Sequence, residues 1–323
     1  MNLTDPRFQD PEKAREWLEA QRWPNGQVIC AHCGNADQAK IKALQGKAHR
    51  AGLYQCAECR EQFTVTVGTV MERSKIPLNK WVAAMHLMGS SKKGMSAHQL
   101  HRMLGITYQS AWFLAHRIRE AMRDDVPTPM GGEGKIVEAD ETYFGRAEGN
   151  HPTPKKKRYS PYTKTGWKNK GSARPIVALV ERGGSVRTFH VAHADKDTVG
   201  GIVAKNIARE SRLHTDESKL YPTIGKEFAA HETVKHSVGE YVRGNVHTNS
   251  AEGYFSIFKR GMRGIYQHCQ EKHLHRYLAE FDFRYNNRVA LGVEDAERAR
   301  KIAKQAEGKR LTYRRPNVAL VSN

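Results

Sequence analysis

Four cysteines set the tightest constraint on what this chain can fold into. They form two C-x2-C pairs, Cys30/Cys33 and Cys56/Cys59, with 22 residues between Cys33 and Cys56. Paired cysteines on tight turns present four thiolates tetrahedrally, which suits zinc. The spacer is a little longer than usual, and a small ribbon of strands absorbs the excess. Disulfides are disfavoured in a cytosolic chain. A redox C-x-x-C would explain one pair only and expects a βαβ setting. The pattern therefore predicts one structural zinc ion on Cys30, Cys33, Cys56 and Cys59. Such a site folds its module, contributing on the order of 10 kcal/mol. Cys269 stands alone and is expected as a buried thiol.

Charge bounds the partner. Lys plus Arg number 53 against 34 Asp plus Glu, a formal net charge of +19. A balance of that sign favours a polyanion, with nucleic acid the leading class. Basic ribosomal and membrane-surface proteins share it. Here the basic residues are spread along a chain with clear core segments, which excludes a disordered basic tail. No stretch approaches the roughly 18 consecutive apolar residues of a membrane span, so no membrane partner is expected. The N-terminal run MNLTDPRFQDPEKAREW is polar and carries acids. Lacking a secretory apolar segment, it places the protein in the cytoplasm.

The chain's 323 residues suggest two or three folded domains. Residues 11–22 read as a short amphipathic helix leading into the cysteine ribbon, and 62–68 alternate like a half-buried strand. Residues 1–72 are thus expected as a zinc ribbon with a leading helix. Residues 73–128 turn helical and end in the Pro/Gly-rich linker 124–134. From 129 to 292 strands and helices mix, with strands near 135–144, 175–180, 186–191, 212–215 and 232–235. Residues 151–172 form a basic loop rich in Lys, Pro and Tyr, and 293–323 read as a basic C-terminal tail. The fold class expected is multidomain α/β.

Within the helical part, Ser96–Arg119 has the shape of a helix-turn-helix. Gly105 sits in the turn, and Thr107, Tyr108 and Gln109 start the second helix, whose first residues reach base edges in such motifs. Three helices packing around Leu100, Leu104, Trp112 and Ile118 would give the same pattern.

Three acids stand out in the α/β part. Asp140 lies in a strand, Asp216 ends a later strand, and Glu252 opens a helix. A lone strand-end Asp is more often a turn residue. Asn249-Ser-Ala-Glu252 also reads as a capping box. As a set, two strand acids and one helix acid can build a site for hard divalent cations. Glu252, Ser256 and Lys259 fall on one helix face. Glu138 points to the face of Asp140. Glu141 and Glu217 point away. His231, His236 and His247 fit no tidy ligand spacing.

The motifs VEADETYFG (137–145), HTDES (214–218), HTNSAE (247–252), KRG (259–261) and FDFRYNNR (281–288), with the cysteine pairs, resemble the zinc-ribbon-bearing DDE transposases of bacterial insertion sequences, the ISXO-like group. The resemblance implies an RNase H-like, integrase-type core with Asp140, Asp216 and Glu252 as catalytic residues holding two Mg²⁺ or Mn²⁺ ions. It implies that Lys259 helps hold the DNA ends. Arg260, His247 and Asn249, and Thr107 and Gln109 of the helix-turn-helix, are the further DNA-binding candidates. The expected partner is double-stranded DNA, as terminal inverted repeats and target. A homodimer or higher oligomer near the bacterial nucleoid is expected. A metal-dependent nuclease or resolvase without strand transfer, and a DNA-binding regulator with an inactive core, are the alternatives.

Overall fold

Proline opens each of the first two helices, α1 (Pro6–Gln9) and α2 (Pro11–Arg22), in the computed structural model, which describes residues 4–124, 128–145 and 174–312. Proline suits the first turn because no partner exists there for its missing N–H. Asp10 completes the start of α2 by accepting the Glu12 N–H at 2.8 Å. Ala14 and Leu18 form the buried stripe of α2. The chain divides into two units, residues 1–123 with 287–323, and residues 124–286.

In the first unit, β1 (Ile41–Leu44), β2 (Leu53–Cys56) and β3 (Gln62–Phe63) form an antiparallel sheet in that order. The strand expected over 62–68 stops at Phe63. Thr64–Gly68 turns instead, with the Val67 N–H bonded to the Thr64 carbonyl at 3.1 Å. Gly68 then takes a φ of +73°, a left-handed conformation that glycine adopts without strain.

Helix α3 (Leu78–Ser90) buries Trp81, Met85 and Met88. Helix α4 (Ala97–Leu104) is capped by Ser96, whose hydroxyl accepts from Gln99 N at 3.2 Å. Gly105 ends it at φ 58°. Thr107 then caps α5 (Tyr108–Ala121), accepting from Ser110 N at 3.2 Å. Leu100, Leu104, Leu114 and Ile118 are buried, and Trp112 is half-buried.

The second unit is built on a five-stranded sheet. Its strands are β4 (Ile136–Phe144), β5 (Arg174–Glu181), β6 (Val186–His190), β7 (Arg212–Thr215) and β8 (Ala230–Thr233). Their order is β6-β5-β4-β7-β8. β4, β5 and β6 pair antiparallel, and β7 and β8 run parallel to β4. The last strand starts two residues earlier than the 232–235 expected from sequence. Helices α6 (Lys196–Asn206) and α7 (Pro222–Gly225) belong to one face, where Val137, Ala139, Val199, Leu213 and Tyr221 are buried together. Helices α8 (Asn249–Gly261) and α9 (Leu274–Asn286) cover the other, with Ile176, Ala178, Phe255, Phe258 and Phe281. A π-helical turn over Met262–Tyr266 extends α8. The basic loop 151–172 lies outside the described residues.

The C-terminal segment departs from the basic tail expected over 293–323. It forms α10 (Asp295–Lys304), which buries Ala299 and Ile302. Gly89 of α3 makes room for it: a Cβ there would stand 3.2 Å from Ile302 Cδ1. Val70 N also bonds to the Ala306 carbonyl at 3.1 Å. Among the described residues, no helix is long and apolar enough to cross a membrane.

Candidate metal centre and acid site

The cysteine pairs meet in the first unit. Gly34, at φ 74°, lets the chain double back, so its N–H bonds to the Cys30 carbonyl at 3.0 Å. Cys56 ends β2, and its N–H bonds to the Glu61 carbonyl at 3.1 Å. Two turns thereby face each other. Cys30 and Cys59 sulfurs lie 3.6 Å apart, and Cys33 and Cys56 sulfurs 3.8 Å. All four sit within 4.8 Å of one another. A tetrahedron with zinc–sulfur arms of about 2.3 Å needs edges of about 3.8 Å. The spacing of these sulfurs fits that edge.

The thiols differ in how readily they ionise. The Cys59 backbone N–H and the Asn35 side chain hold Cys56 down to about 6 against burial. Cys59 is pushed up to about 12: the Glu61 N–H opposes the shift, but burial and the other three sulfurs outweigh it. Four sulfurs this close cannot all ionise without a cation between them, so this is a zinc-binding site. Trp23, Tyr54 and Phe63 back the ribbon, with Tyr54 stacked on Phe63 at 5.7 Å. Cys269, expected as a buried thiol, is only partly buried.

The acids lie in the second unit. Alternation along β4 puts Glu138 and Asp140 on the face covered by α8, and Glu141 on the other. Asp140 accepts the Glu141 N–H at 2.8 Å. Asp216 lies one residue past β7 and accepts the Ser218 N–H at 3.0 Å. Glu252 stands in the first turn of α8 and is exposed. Asp140 feels both of the others. Burial first, then the charges of Asp216, Glu141 and Glu252, push its carboxyl up to about 8. The oxygens of the three are not drawn into a tight cage. Among the described residues, only the cysteines form a group of three or more side chains already placed to hold a metal ion.

Helix α8 is aimed by a residue without a definite task in the sequence pattern. Glu138 is fully buried and accepts from Ser250 N at 2.8 Å, Ser250 Oγ at 3.0 Å and Ala251 N at 3.1 Å. Arg182 donates to the same carboxylate from Nε at 3.0 Å and Nη2 at 2.8 Å. The strand acid thus caps the helix that carries Glu252. The capping box expected at Asn249 does not form. Thr248 holds the N-cap position without a side-chain cap bond, and Asn249 is an exposed first helical residue. The Thr248 carbonyl accepts the Glu252 N–H at 3.0 Å.

The histidines separate rather than cluster. His231 meets Thr215 Oγ1 at 3.0 Å. His247 Nδ1 lies 3.1 Å from Arg182 Nη2, and His236 Nε2 lies 3.7 Å from Glu252. Glu141 and Glu217 do find partners. Glu141 accepts from Tyr221 OH at 2.7 Å and Ser218 Oγ at 3.2 Å, and Glu217 from Ser237 N at 2.8 Å.

Beyond Glu252, α8 turns basic. Ser256, Lys259, Arg260, Arg263 and Gly264 line a shallow groove. Burial, then Arg263, draws the Lys259 ammonium below its ordinary value, while Asp140 pulls the other way. Lys259 therefore lies within the field of the acid site. In the first unit, Thr107 and Gln109 are exposed, and the Thr107 hydroxyl is engaged by Ser110. Arg182 and Arg263 carried no sequence signal. Each is one basic residue among many until the fold sets it beside an acid or a groove.

The chain thus combines a four-thiol zinc-binding module with an α/β unit that carries three acids and a basic groove. Residues 131–286 match the ISXO2-like transposase domain, and residues 9–62 match the transposase zinc-ribbon domain. The chain belongs to this zinc-ribbon-bearing ISXO2-like transposase family. It is also 27% identical over 288 residues to an uncharacterized protein in transposable element ISH50 of Halobacterium salinarum, covering 86% of this chain and 91% of that protein. Among solved structures, a simian T-cell lymphotropic virus intasome in complex with PP2A regulatory subunit B56 gamma is similar at 14% identity and a TM-score of 0.28. That alignment covers 57% of this chain and 63% of the matched one, and at that score it does not establish a shared fold.

Proposed function

We propose that this chain binds the terminal inverted repeats of its insertion sequence, hydrolyses phosphodiester bonds at the ends and joins the freed 3′-hydroxyl to target DNA. The observation that carries this reading is the placement of three acids in one unit: Asp140 on the central strand, Asp216 one residue past its parallel neighbour, and Glu252 in the first turn of the helix that covers that face. Hard carboxylate donors that repel one another fit divalent cations such as Mg²⁺ or Mn²⁺. Asp140, Asp216 and Glu252 would hold them. When bound, a pair of such ions supplies Lewis-acid activation of attacking and leaving oxygens.

The chain's own residues do the rest. Glu138 holds α8 so that Glu252 faces Asp140. Lys259, with Arg260 and Arg263 beside it, binds the phosphates flanking the scissile bond. His247 orients Arg182 and through it Glu138, while exposed Asn249 is free to meet the DNA backbone. The sheet order, with an acid on the central strand and another just past its parallel neighbour, supports the RNase H-like reading. Helices α4 and α5 joined at Gly105, with Gln109 exposed, support a helix-turn-helix that reads the repeat beside the zinc ribbon. Thr107 serves there through its backbone and cap. The working complex is a dimer or larger assembly on DNA.

The test is cleavage and joining with end DNA taken from the flanks of the chain's own gene, in Mg²⁺ and in EDTA. Wild type should cut and join in Mg²⁺ only. Glu252→Gln and Asp216→Asn should stay folded and lose both steps. Cutting without joining would leave a nuclease and sink the transposition reading. Cutting by Asp216→Asn would sink the catalytic assignment.

A further inference from the structure

The loop between β8 and α8, residues 234–248, is hydrogen-bonded beside the acid site at two points and approaches it at a third. Ser237 donates from N and Oγ to Glu217, the neighbour of Asp216, at 2.8 and 2.7 Å. His236 Nε2 stands 3.7 Å from Glu252 Oε1. Arg182, the partner of Glu138, donates to the Asn245 carbonyl at 2.8 Å and to its side-chain oxygen at 2.9 Å. Between these ties the loop exposes an apolar crest. Val238 is 74% exposed, Tyr241 60% and Val242 51%. The Tyr241 ring already rests on His236, with centroids 5.1 Å apart and planes 33° apart.

Three large apolar side chains within five residues gain nothing from water. Their tethers cost conformational entropy that a merely solvated loop would not spend. Pinned aromatic and aliphatic side chains are what nucleic-acid binders use to hold an unstacked base. A protein interface needs some 20–30 residues a side, and this crest is far smaller. Exposed Lys235 and Arg243 flank it, which suits a strand of phosphates.

We infer that Tyr241, braced by His236 and flanked by Val238 and Val242, receives an unstacked nucleobase adjoining the phosphodiester held at the acids. The inference rests on the functional reading above. A phosphate seated at Asp140, Asp216 and Glu252 has a nucleotide on either side. The tethers hold the ring next to that position, so a base leaving its stack would extend the series of rings from His236 through Tyr241.

The test uses the full chain and the same end DNA, with 5-iodouracil placed at each position flanking the cut in turn. Ultraviolet light joins this base to an aromatic ring stacked on it. The expected result is a crosslinked peptide containing Tyr241 at one position, kept in Tyr241→Phe and lost in Tyr241→Ala. Tyr241→Ala should bind the end about tenfold more weakly, with an unchanged thermal midpoint because the side chain is exposed. Crosslinks that avoid Tyr241 in wild type, with full affinity in Tyr241→Ala, would overturn the inference. So would a Tyr241→Asp chain whose DNA contacts are intact but whose assembly state falls, since the crest would then join copies of the chain. Wild type that neither binds nor cuts the end would sink the functional reading itself, and this inference with it.

Discussion

Glu138 shows how much one buried carboxylate can organise. It accepts hydrogen bonds from Arg182, Ser250 and Ala251, so its removal leaves two helix N–H groups without their acceptor and takes the carboxylate partner from the Arg182 guanidinium. Breaking a buried ion pair of this kind costs about 3–5 kcal/mol. Glu138→Ala should therefore lower stability by about that much, read by urea unfolding. Glu138→Gln retains one of the two acceptor oxygens at neutral charge and should fold. It should cut end DNA roughly tenfold more slowly, because a looser cap lets Glu252 drift from Asp140. An unchanged urea midpoint in Glu138→Ala would refute this role. The sequence placed Glu138 on the face of Asp140, because a strand alternates with period two. What it could not show was the partner, since Ser250, the first residue whose N–H it accepts, comes 112 residues later. For the same reason Asn249 passed for a cap. A local pattern was the only signal in reach, and a distant acid held the site.

At the scale of elements, α8 is fastened at two places. Glu138 grips its first turn. Asp282 of α9 accepts from Thr188 N of β6 at 3.0 Å and from Tyr254 OH of α8 at 2.6 Å, linking both helices to the sheet. Burial pushes Asp282 up to about 7, even though Tyr254 and Thr188 favour its charged form. A carboxyl raised above its unfolded value of about 3.9 binds its proton more tightly in the folded state. Its contribution is full below about pH 4 and is lost as pH rises to about 7. Asp282→Asn should flatten that part of the stability curve, measured by urea unfolding at stepped pH. An identical slope in wild type and variant would exclude Asp282 as its source. The helices of this unit were legible because apolar residues recur along one face, as Tyr254, Phe255, Phe258 and Met262 do. The strand forecast over 62–68 misled, because alternation of Thr and Val looks the same in a turn closed by a left-handed glycine.

For the molecule as a whole, the zinc module was the most legible part, since its chemistry is written in four residues of one type. Cys56→Ser should carry well under one zinc per chain by metal analysis. Amide protection in β1–β3 should fall with it, while the five-stranded sheet stays protected in hydrogen exchange. Full zinc content in that variant would contradict the ligand set. The division into units was less legible. Composition marked a linker after the helical part, and nothing in a run of basic residues announced that Ala299 and Ile302 complete a core begun by α3.

That return of the chain has a consequence for synthesis. Domains usually fold in the order in which they leave the ribosome. Here the unit that begins first must wait for the segment that ends last. The pocket at Gly89 stays open until Ile302 arrives, after the whole acid-bearing unit has been made. A nascent chain would thus hold a finished five-stranded sheet before a finished zinc-bearing unit, and one interrupted near residue 290 would keep the first and lack the second.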